Sequence, residues 1–238
     1  MKKLVIVIPA HNEEEIIKKN VKITIDYLKT QNLPVKWSVV VAENGSIDKT
    51  ISELKKIKSS YFSWFSLPVR SRTMAVSEAW LKLDADYYMF MDADLSTDIK
   101  HIPRMISEAL KGYDIVGGSR GIKGSIVNRS KFRKFMSFSF NLIMNFIFWT
   151  KIRDFQCGFK LINRKIRDKI LPQMKYSDEG FLDTELIVVS LSKGYTFKEI
   201  PVKWSDDRPS KFNMFKQVTF NLINGMKIKR DLILKKYK

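Results

Sequence analysis

The chain has 238 residues, 45% hydrophobic and 29% charged, a balance that suits one sizeable globular domain and excludes a disordered chain. A formal net charge of +18 calls for an anionic partner, and nucleic acid, an anionic membrane and phosphate-bearing substrates all suit it. The single Cys157 excludes an intramolecular disulfide.

Residues 4–8 are an unbroken apolar run rich in β-branched side chains, which predicts a parallel strand buried on both faces. A signal peptide is not expected, because Glu13, Glu14 and Glu15 follow where small residues would mark a cleavage site. Residues 12–29 predict a helix with acids in its first turn and lysines later, as the helix dipole favours. Residues 38–42 predict a second buried strand and 48–58 a second helix. The cluster Tyr61, Phe62, Trp64 and Phe65 reads as core or interface in preference to a sugar-stacking platform. Residues 75–83 predict a helix, 87–91 an apolar strand ending on acids, and 100–110 a helix in which His101 is an ordinary member. Residues 114–117 predict a short strand.

This alternation implies an α/β fold with a mostly parallel central sheet flanked by helices. Ligands of such sheets gather at the carboxyl ends of the strands. Three polar clusters stand at those ends: His11-Asn12-Glu13, Glu43-Asn44-Gly45-Ser46 and Asp92-Ala93-Asp94.

The pattern changes at Arg120. A basic loop containing Arg120, Lys123, Arg129, Lys131, Arg133 and Lys134 has no acid between Ile115 and Lys134. The apolar segment 135–149 follows, interrupted by Asn141 and Asn145 and shorter than the roughly 18–20 residues a membrane span needs. Residues 208–238 carry nine Lys or Arg against one acid, Asp231. Within them Phe215, Val218, Phe220, Leu222, Ile223 and Met226 alternate with lysines as in an interfacial helix. The expected organisation is a catalytic unit over 1–205 and a basic amphipathic segment over 206–238. The two apolar segments predict a protein that lies on a membrane without spanning it. The alternative is that they pack on the domain or on each other in a homodimer.

Asp92 and Asp94, two residues apart after a buried strand, can share a hard divalent cation and the diphosphate it neutralises. The same pair could serve as general acid and base in hydrolysis, or be solvated loop charges.

With these clusters in order, the sequence resembles family 2 glycosyltransferases, and within them dolichyl-phosphate mannose synthases and dolichyl-phosphate glucosyltransferases. The resemblance rests on Val7-Ile8-Pro9-Ala10-His11-Asn12-Glu13-Glu14, on Glu43-Asn44-Gly45-Ser46-Ile47-Asp48-Lys49-Thr50, on Met91-Asp92-Ala93-Asp94-Leu95-Ser96, on Gly118-Ser119-Arg120, and on Arg153-Asp154-Phe155-Gln156-Cys157-Gly158-Phe159-Lys160-Leu161. It implies a GT-A fold with C-terminal amphipathic interface helices. The implied reaction is inverting transfer of a hexose from a UDP- or GDP-linked sugar to a polyprenyl or dolichyl phosphate, with Mg²⁺ or Mn²⁺. The implied place is the cytoplasmic face of a membrane, peripheral or anchored by segments outside this chain, with a membrane-protein partner as a further option.

The resemblance also assigns residues. Pro9, Ala10, His11, Glu13, Glu43, Asp92 and Ala93 would line the nucleotide pocket, with Glu43 where relatives usually have Asp. Asp92 and Asp94 would bind the metal. Ser96 stands where the mannose synthases often have Gln. Arg70-Ser71-Arg72-Thr73 replaces a glycine- and lysine-rich turn, and its arginines either face the diphosphate or form an exposed basic turn. Arg120, Arg133 and Ser137 would grip the acceptor phosphate, as guanidinium geometry favours, with Arg208 and Lys211 as further candidates. Asp183 and Glu185 lie where relatives acting on hydroxyls keep a base, which an ionised phosphate acceptor does not need. Two alternatives remain: an acceptor hydroxyl on a polysaccharide or protein, and a non-enzymatic nucleic-acid-binding protein, which rests on charge alone.

Overall fold

The computed structural model describes residues 1–68, 70–176, 181–205 and 214–237. Strand β1 (Lys2–Ala10) leads into helix α1 (Ile17–Thr30), and β2 (Val35–Asn44) into α2 (Thr50–Lys55). Then come β3 (Phe62–Leu67), α3 (Arg72–Lys82), β4 (Tyr87–Met91), α4 (Ile102–Leu110) and β5 (Ile115–Ser119). The second half contains β6 (Ile126–Asn128), α5 (Lys131–Phe148), β7 (Phe159–Asn163), α6 (Arg164–Lys169), α7 (Leu182–Ser192), β8 (Phe197–Pro201), β9 (Lys203–Ser205) and α8 (Met214–Ile233).

Among the described residues, one seven-stranded sheet has the order β3-β2-β1-β4-β7-β5-β8. Its neighbours are parallel except at β7, which runs antiparallel between β4 and β5. β6 and β9 pair in parallel as a separate ribbon.

The unbroken apolar character of β1 follows from its position. Val5 and Val7 join one core layer, with side chains of α3, α5 and α7, while Leu4, Ile6 and Ile8 join the other, with α1 and α4. Full burial of each such side chain contributes about 1.5–3 kcal/mol.

Several elements depart from the sequence pattern. α1 begins at Ile17 instead of residue 12, because Asn12 has a left-handed φ of 54° and residues 12–14 bind the loop after β2. The Asn12 and Glu13 amides donate to Ser46 Oγ (3.0 Å) and Thr50 Oγ1 (2.8 Å), and the Ile47 amide donates to Asn12 Oδ1 (2.9 Å). The aromatic cluster at 61–65 belongs to an edge strand. Phe65 and Leu67 of β3 pack on one core layer and Phe62 and Trp64 on the other.

α5 starts four residues earlier than its apolar run, where Ser130 Oγ caps it by accepting from the Arg133 amide at 3.4 Å. Among the described residues no helix is long and apolar enough to cross a membrane. α5 turns Phe140 and Met144 into the core and leaves Phe132, Phe135, Phe138, Leu142, Phe146 and Trp149 exposed at three- and four-residue intervals. α8 packs on α5, with Gly225 against Met144. It buries Asn221, Asn224, Ile228 and Asp231 while Leu222, Ile223 and Met226 face outward. Arg208 and Lys211, and the side chains of Phe215 and Val218, lie outside the described residues.

Candidate active site

The carboxyl ends of β1, β2, β4 and β5 meet at one edge of the sheet, and so gather the three polar clusters. At the end of β1 the His11 ring Nδ1 lies 3.0 Å from the Asn44 carbonyl oxygen. His11 Nε2 and Asn44 Oδ1 are buried polar atoms with no partner among the described residues, as a site awaiting a polar ligand requires. Glu43 is buried and accepts from the Ser46 amide, while Gly45 makes the turn between them with a φ of 74°. Pro9, Ala10 and Ala93 are buried beneath this floor, and Asn20 Nδ2 donates to the Ala93 carbonyl at 2.8 Å. Glu13 anchors the start of α1 through its carbonyl, which accepts from Ile16 and Ile17.

At the end of β4, Asp92 is partly buried and Asp94 exposed. Leu95 adopts a left-handed φ of 54°, the kind of backbone strain that surrounding structure must hold in place. The turn is closed by the Ser96 amide donating to Asp94 Oδ1 at 2.9 Å.

The antiparallel insertion of β7 explains the neighbouring motif. Its first residue, Phe159, pairs with Met91, so Gly158 lies directly against Asp92. A Cβ at Gly158 would come within 2.0 Å of Asp92 Oδ2, so only glycine leaves room for this carboxylate.

Asp92 is one member of a charge chain. Arg72 Nη1 donates to Asp92 Oδ1 at 2.6 Å, and Arg72 Nη2 donates to Asp183 Oδ2 at 3.0 Å. Asp183 Oδ1 in turn lies 2.9 Å from Nζ of Lys160, which is fully buried and also donates to the Cys157 carbonyl at 2.6 Å. Burial pushes the Asp92 carboxyl above its ordinary value; Arg72 opposes that shift and Asp94 and Asp183 add to it. The Cys157 thiol is pushed up to about 12, chiefly by burial, and is no nucleophile.

The site fits a divalent cation. Its donors are hard carboxylate oxygens, it is shaped around the Asp92 carboxylate, and the protein's own cation, Arg72, already rests there. Among the described residues no three acid, Cys or His side chains form a metal cluster by themselves. Asp92 and Asp94 would therefore hold Mg²⁺ or Mn²⁺ together with substrate oxygens and water, the usual manner of Mg²⁺.

Beyond β5, Arg120 is committed to Asp154. Its Nε and Nη2 donate to Oδ2 and Oδ1 at 2.6 and 2.9 Å, and its amide adds a third bond at 3.0 Å. Arg120 and Arg129 both pack on the Trp204 ring, at 5.3 and 5.2 Å, and Arg129 Nη1 donates to Ser137 Oγ at 2.7 Å. Arg120 and Ser137 thus belong to one connected cluster, with Arg133 one turn from Ser137 on α5. Arg129 and Trp204 complete the cluster but were not singled out from sequence. Arg129 was one of several loop cations, and Trp204 gave no local signal.

Glu185 does not face the site. It accepts from the Lys175 and Tyr176 amides at 2.8 and 2.9 Å and from the Tyr237 hydroxyl at 2.7 Å, fastening the C-terminal end to the loop before α7. His101 Nε2 accepts from the Lys203 amide at 2.8 Å and supports β9.

Residues 5–171 match the pattern of Glycosyl transferase family 2. The chain belongs to that family. This family 2 glycosyltransferase is 30% identical over 242 residues to a dolichyl-phosphate beta-glucosyltransferase of Trichomonas vaginalis, covering 97% of this chain and 72% of that protein. It is 28% identical to the dolichyl-phosphate beta-glucosyltransferase of Saccharomyces cerevisiae, covering 97% and 73%. With glycosyltransferase AglD of Haloferax volcanii it shares 26% identity over 90% of this chain, which spans 35% of that protein. Among solved structures it resembles glucosyl-3-phosphoglycerate synthase of Mycobacterium tuberculosis, solved with Mn²⁺, uridine diphosphate and glucosyl-3-phosphoglycerate. The TM-score is 0.72 at 15% identity, covering 96% of this chain and 80% of that one. The fold is GT-A, and an enzyme replaces the nucleic-acid-binding alternative.

Proposed function

We propose that this glycosyltransferase moves a hexose, glucose foremost, from a uridine diphosphate sugar to a polyprenyl or dolichyl phosphate at a membrane surface. The observation that carries this reading is the state of its two candidate bases. Asp183 is paired with two cations, Arg72 hydrogen-bonded to Oδ2 at 3.0 Å and Lys160 as an ion pair 2.9 Å from Oδ1, and Glu185 is consumed by three donors away from the site. A hydroxyl acceptor needs a base to take its proton; a phosphate brings an ionised oxygen and needs none. The named activity of the two dolichyl-phosphate glucosyltransferase relatives supports the same acceptor.

In this mechanism the nucleotide base and ribose lie over His11, Glu43 and Asn44. Asp92 and Asp94 would hold a divalent ion, which when bound would supply charge neutralisation for the departing diphosphate. Arg133, Ser137 and Arg129 orient the acceptor phosphate, and Arg120, fixed by Asp154, shapes the wall beside them. The acceptor oxygen forms a bond to the anomeric carbon as the bond from that carbon to the diphosphate breaks. Configuration inverts, the electron pair leaves with the nucleotide, and no proton moves. Positioning and fixed charge supply the rate enhancement.

The exposed stripe Phe132, Phe135, Phe138, Leu142, Phe146 and Trp149 adjoins Arg133 and Ser137 along α5 and its C-terminal cap, and an apolar surface beside the acceptor cluster supports a lipid acceptor. Two measurements test the proposal. Offered a panel of sugar nucleotides with polyprenyl phosphate, polyprenol and oligosaccharides, the enzyme should yield hexosyl phosphoryl polyprenol by mass spectrometry. Transfer only to hydroxyl acceptors would refute it. Replacing Phe135, Phe146 and Trp149 together by Ser should abolish flotation with anionic vesicles in high salt and shift the melting temperature by no more than about 5 °C, since exposed substitutions cost little.

A further inference from the structure

We infer that Arg72 is an internal cation guarding the metal site, so that a divalent ion enters together with a nucleotide diphosphate that takes Arg72 from Asp92. The inference rests on the reading of this edge as a nucleotide and metal site, and is independent of the acceptor.

Arg72 is held at two ends of unequal firmness. On one side stands Asp183, 7% exposed and fixed by the fully buried Lys160. On the other stands Asp92, 26% exposed, at the open edge of the sheet. The Arg72 side chain is itself 41% exposed, and its guanidinium rests on the Phe90 ring at 5.5 Å. Its backbone is the first residue of α3, capped by Ser71 Oγ accepting from the Met74 amide. The helix is therefore fixed and the side chain is the part able to move, pivoting on Asp183.

Charge decides what moves it. Arg72 and Lys160 oppose Asp92, Asp94 and Asp183, leaving the cluster with one net negative charge. A divalent ion arriving alone meets a guanidinium already on one of its two carboxylates, and the like charges repel at short range. A nucleotide diphosphate changes that balance. It offers Arg72 a new anionic partner, frees Asp92, and contributes the oxygens that complete the coordination sphere. Arg72 thereby adds to the coupling that shared coordination gives, and by linkage each ligand raises the affinity of the other by the same factor.

Paramagnetic resonance titration of the full chain with Mn²⁺, with and without uridine diphosphate and with no acceptor present, tests this. Wild type should bind Mn²⁺ about tenfold more tightly with the nucleotide, a middling value for coupled sites. Arg72→Met should bind Mn²⁺ alone severalfold more tightly than wild type and lose part of the enhancement by nucleotide, keeping the part that diphosphate ligation of the ion supplies. Arg72→Gln, which keeps polarity and helix length, should do the same, and far-UV circular dichroism checks that either variant is folded. Asp94→Asn should bind no Mn²⁺ at this site under either condition. If neither Arg72 variant binds Mn²⁺ alone more tightly than wild type, or if wild type shows no enhancement by nucleotide, the inference is overturned. A wrong acceptor assignment would leave every one of these values unchanged.

Discussion

Gly158→Ala is a one-carbon change that tests the geometry of the site. The new Cβ would lie 2.0 Å from Asp92 Oδ2 and 2.7 Å from Oδ1, against 3.4–4 Å for ordinary contact. The carboxylate must therefore retreat by more than an ångström, while β4 and β7 can stay paired because only the end of a short side chain is in the way. Pushing Asp92 off its rotamer costs about 0.5–1.5 kcal/mol. Losing its partly exposed pair with Arg72 costs about 0–1 kcal/mol. At roughly 2–4 °C per kcal/mol for a chain of this size, the melting temperature should fall by about 1–10 °C. Turnover should suffer far more, because a misplacement of about 1 Å in a positioned group costs on the order of a hundredfold. The assay is release of nucleotide diphosphate from the sugar nucleotide, beside a thermal melt. Asp92→Ala and Asp92→Ala with Gly158→Ala should be equally slow, since the methyl group acts only through that carboxylate. Turnover of Gly158→Ala within about threefold of wild type would refute the placement of Asp92.

Lys160→Met should destabilise the protein by about 1–3 kcal/mol in urea titration, because it removes the donor to the Cys157 carbonyl and the cation beside Asp183 Oδ1 while Arg72 still pairs Oδ2; adding Asp183→Asn should recover part of the loss. Burial alone would raise the Asp154 carboxyl, but the Arg120 pair outweighs it and holds the group below its ordinary value. A depressed carboxyl stabilises fully above its unfolded value of about 3.9 and loses that contribution as pH falls through its folded value. Stability measured by urea midpoint should therefore drop below about pH 4 in wild type, and Asp154→Asn should flatten that decline while starting lower at neutral pH. An unchanged acid slope in the variant would exclude Asp154 as a source.

The first half of the fold was legible because buried parallel strands are written as unbroken apolar runs, and residues 4–8, 38–42 and 87–91 all carry that pattern. Their ends carried the polar clusters, and the structure brings these to one edge. β7 was not legible as a strand for a physical reason: Lys160 is its second residue, and a lysine argues against burial until Asp183, 23 residues later, is known to neutralise it. β3 was hidden differently, since Ser63 and Ser66 interrupt its aromatics without a strict two-residue alternation and leave only an aromatic cluster to be read. Glu185 could not be separated from Asp183 by sequence. They are two residues apart at the start of one helix, and one helical step sends the first to the site and the second toward Tyr237. Arg72 was legible only as a basic turn, because its function lies in which carboxylates it bridges.

The excess charge argues for the surface beside the site more than for the site. Arg72, Lys160 and Arg120 are matched there by Asp92, Asp183 and Asp154, so the catalytic edge accounts for little of the +18. A single diphosphate would not require so large a surplus either. Exposed Lys131, Lys134, Lys151 and Arg153 instead bracket α5, whose outward face carries five aromatic side chains and a leucine. Cations bordering a long apolar stripe suit an interface that is charged at its rim and apolar within, which is the boundary of an anionic bilayer. The two contributions separate with salt. Attraction of the basic rim, about 1 kcal/mol per residue near an anionic leaflet, fades as the Debye length shrinks from about 10 Å at 0.1 M to 3 Å at 1 M. Insertion of Phe146 and Trp149 does not. Vesicle binding should therefore weaken in high salt yet persist at a lower level, and only removal of the aromatic stripe should eliminate the remainder.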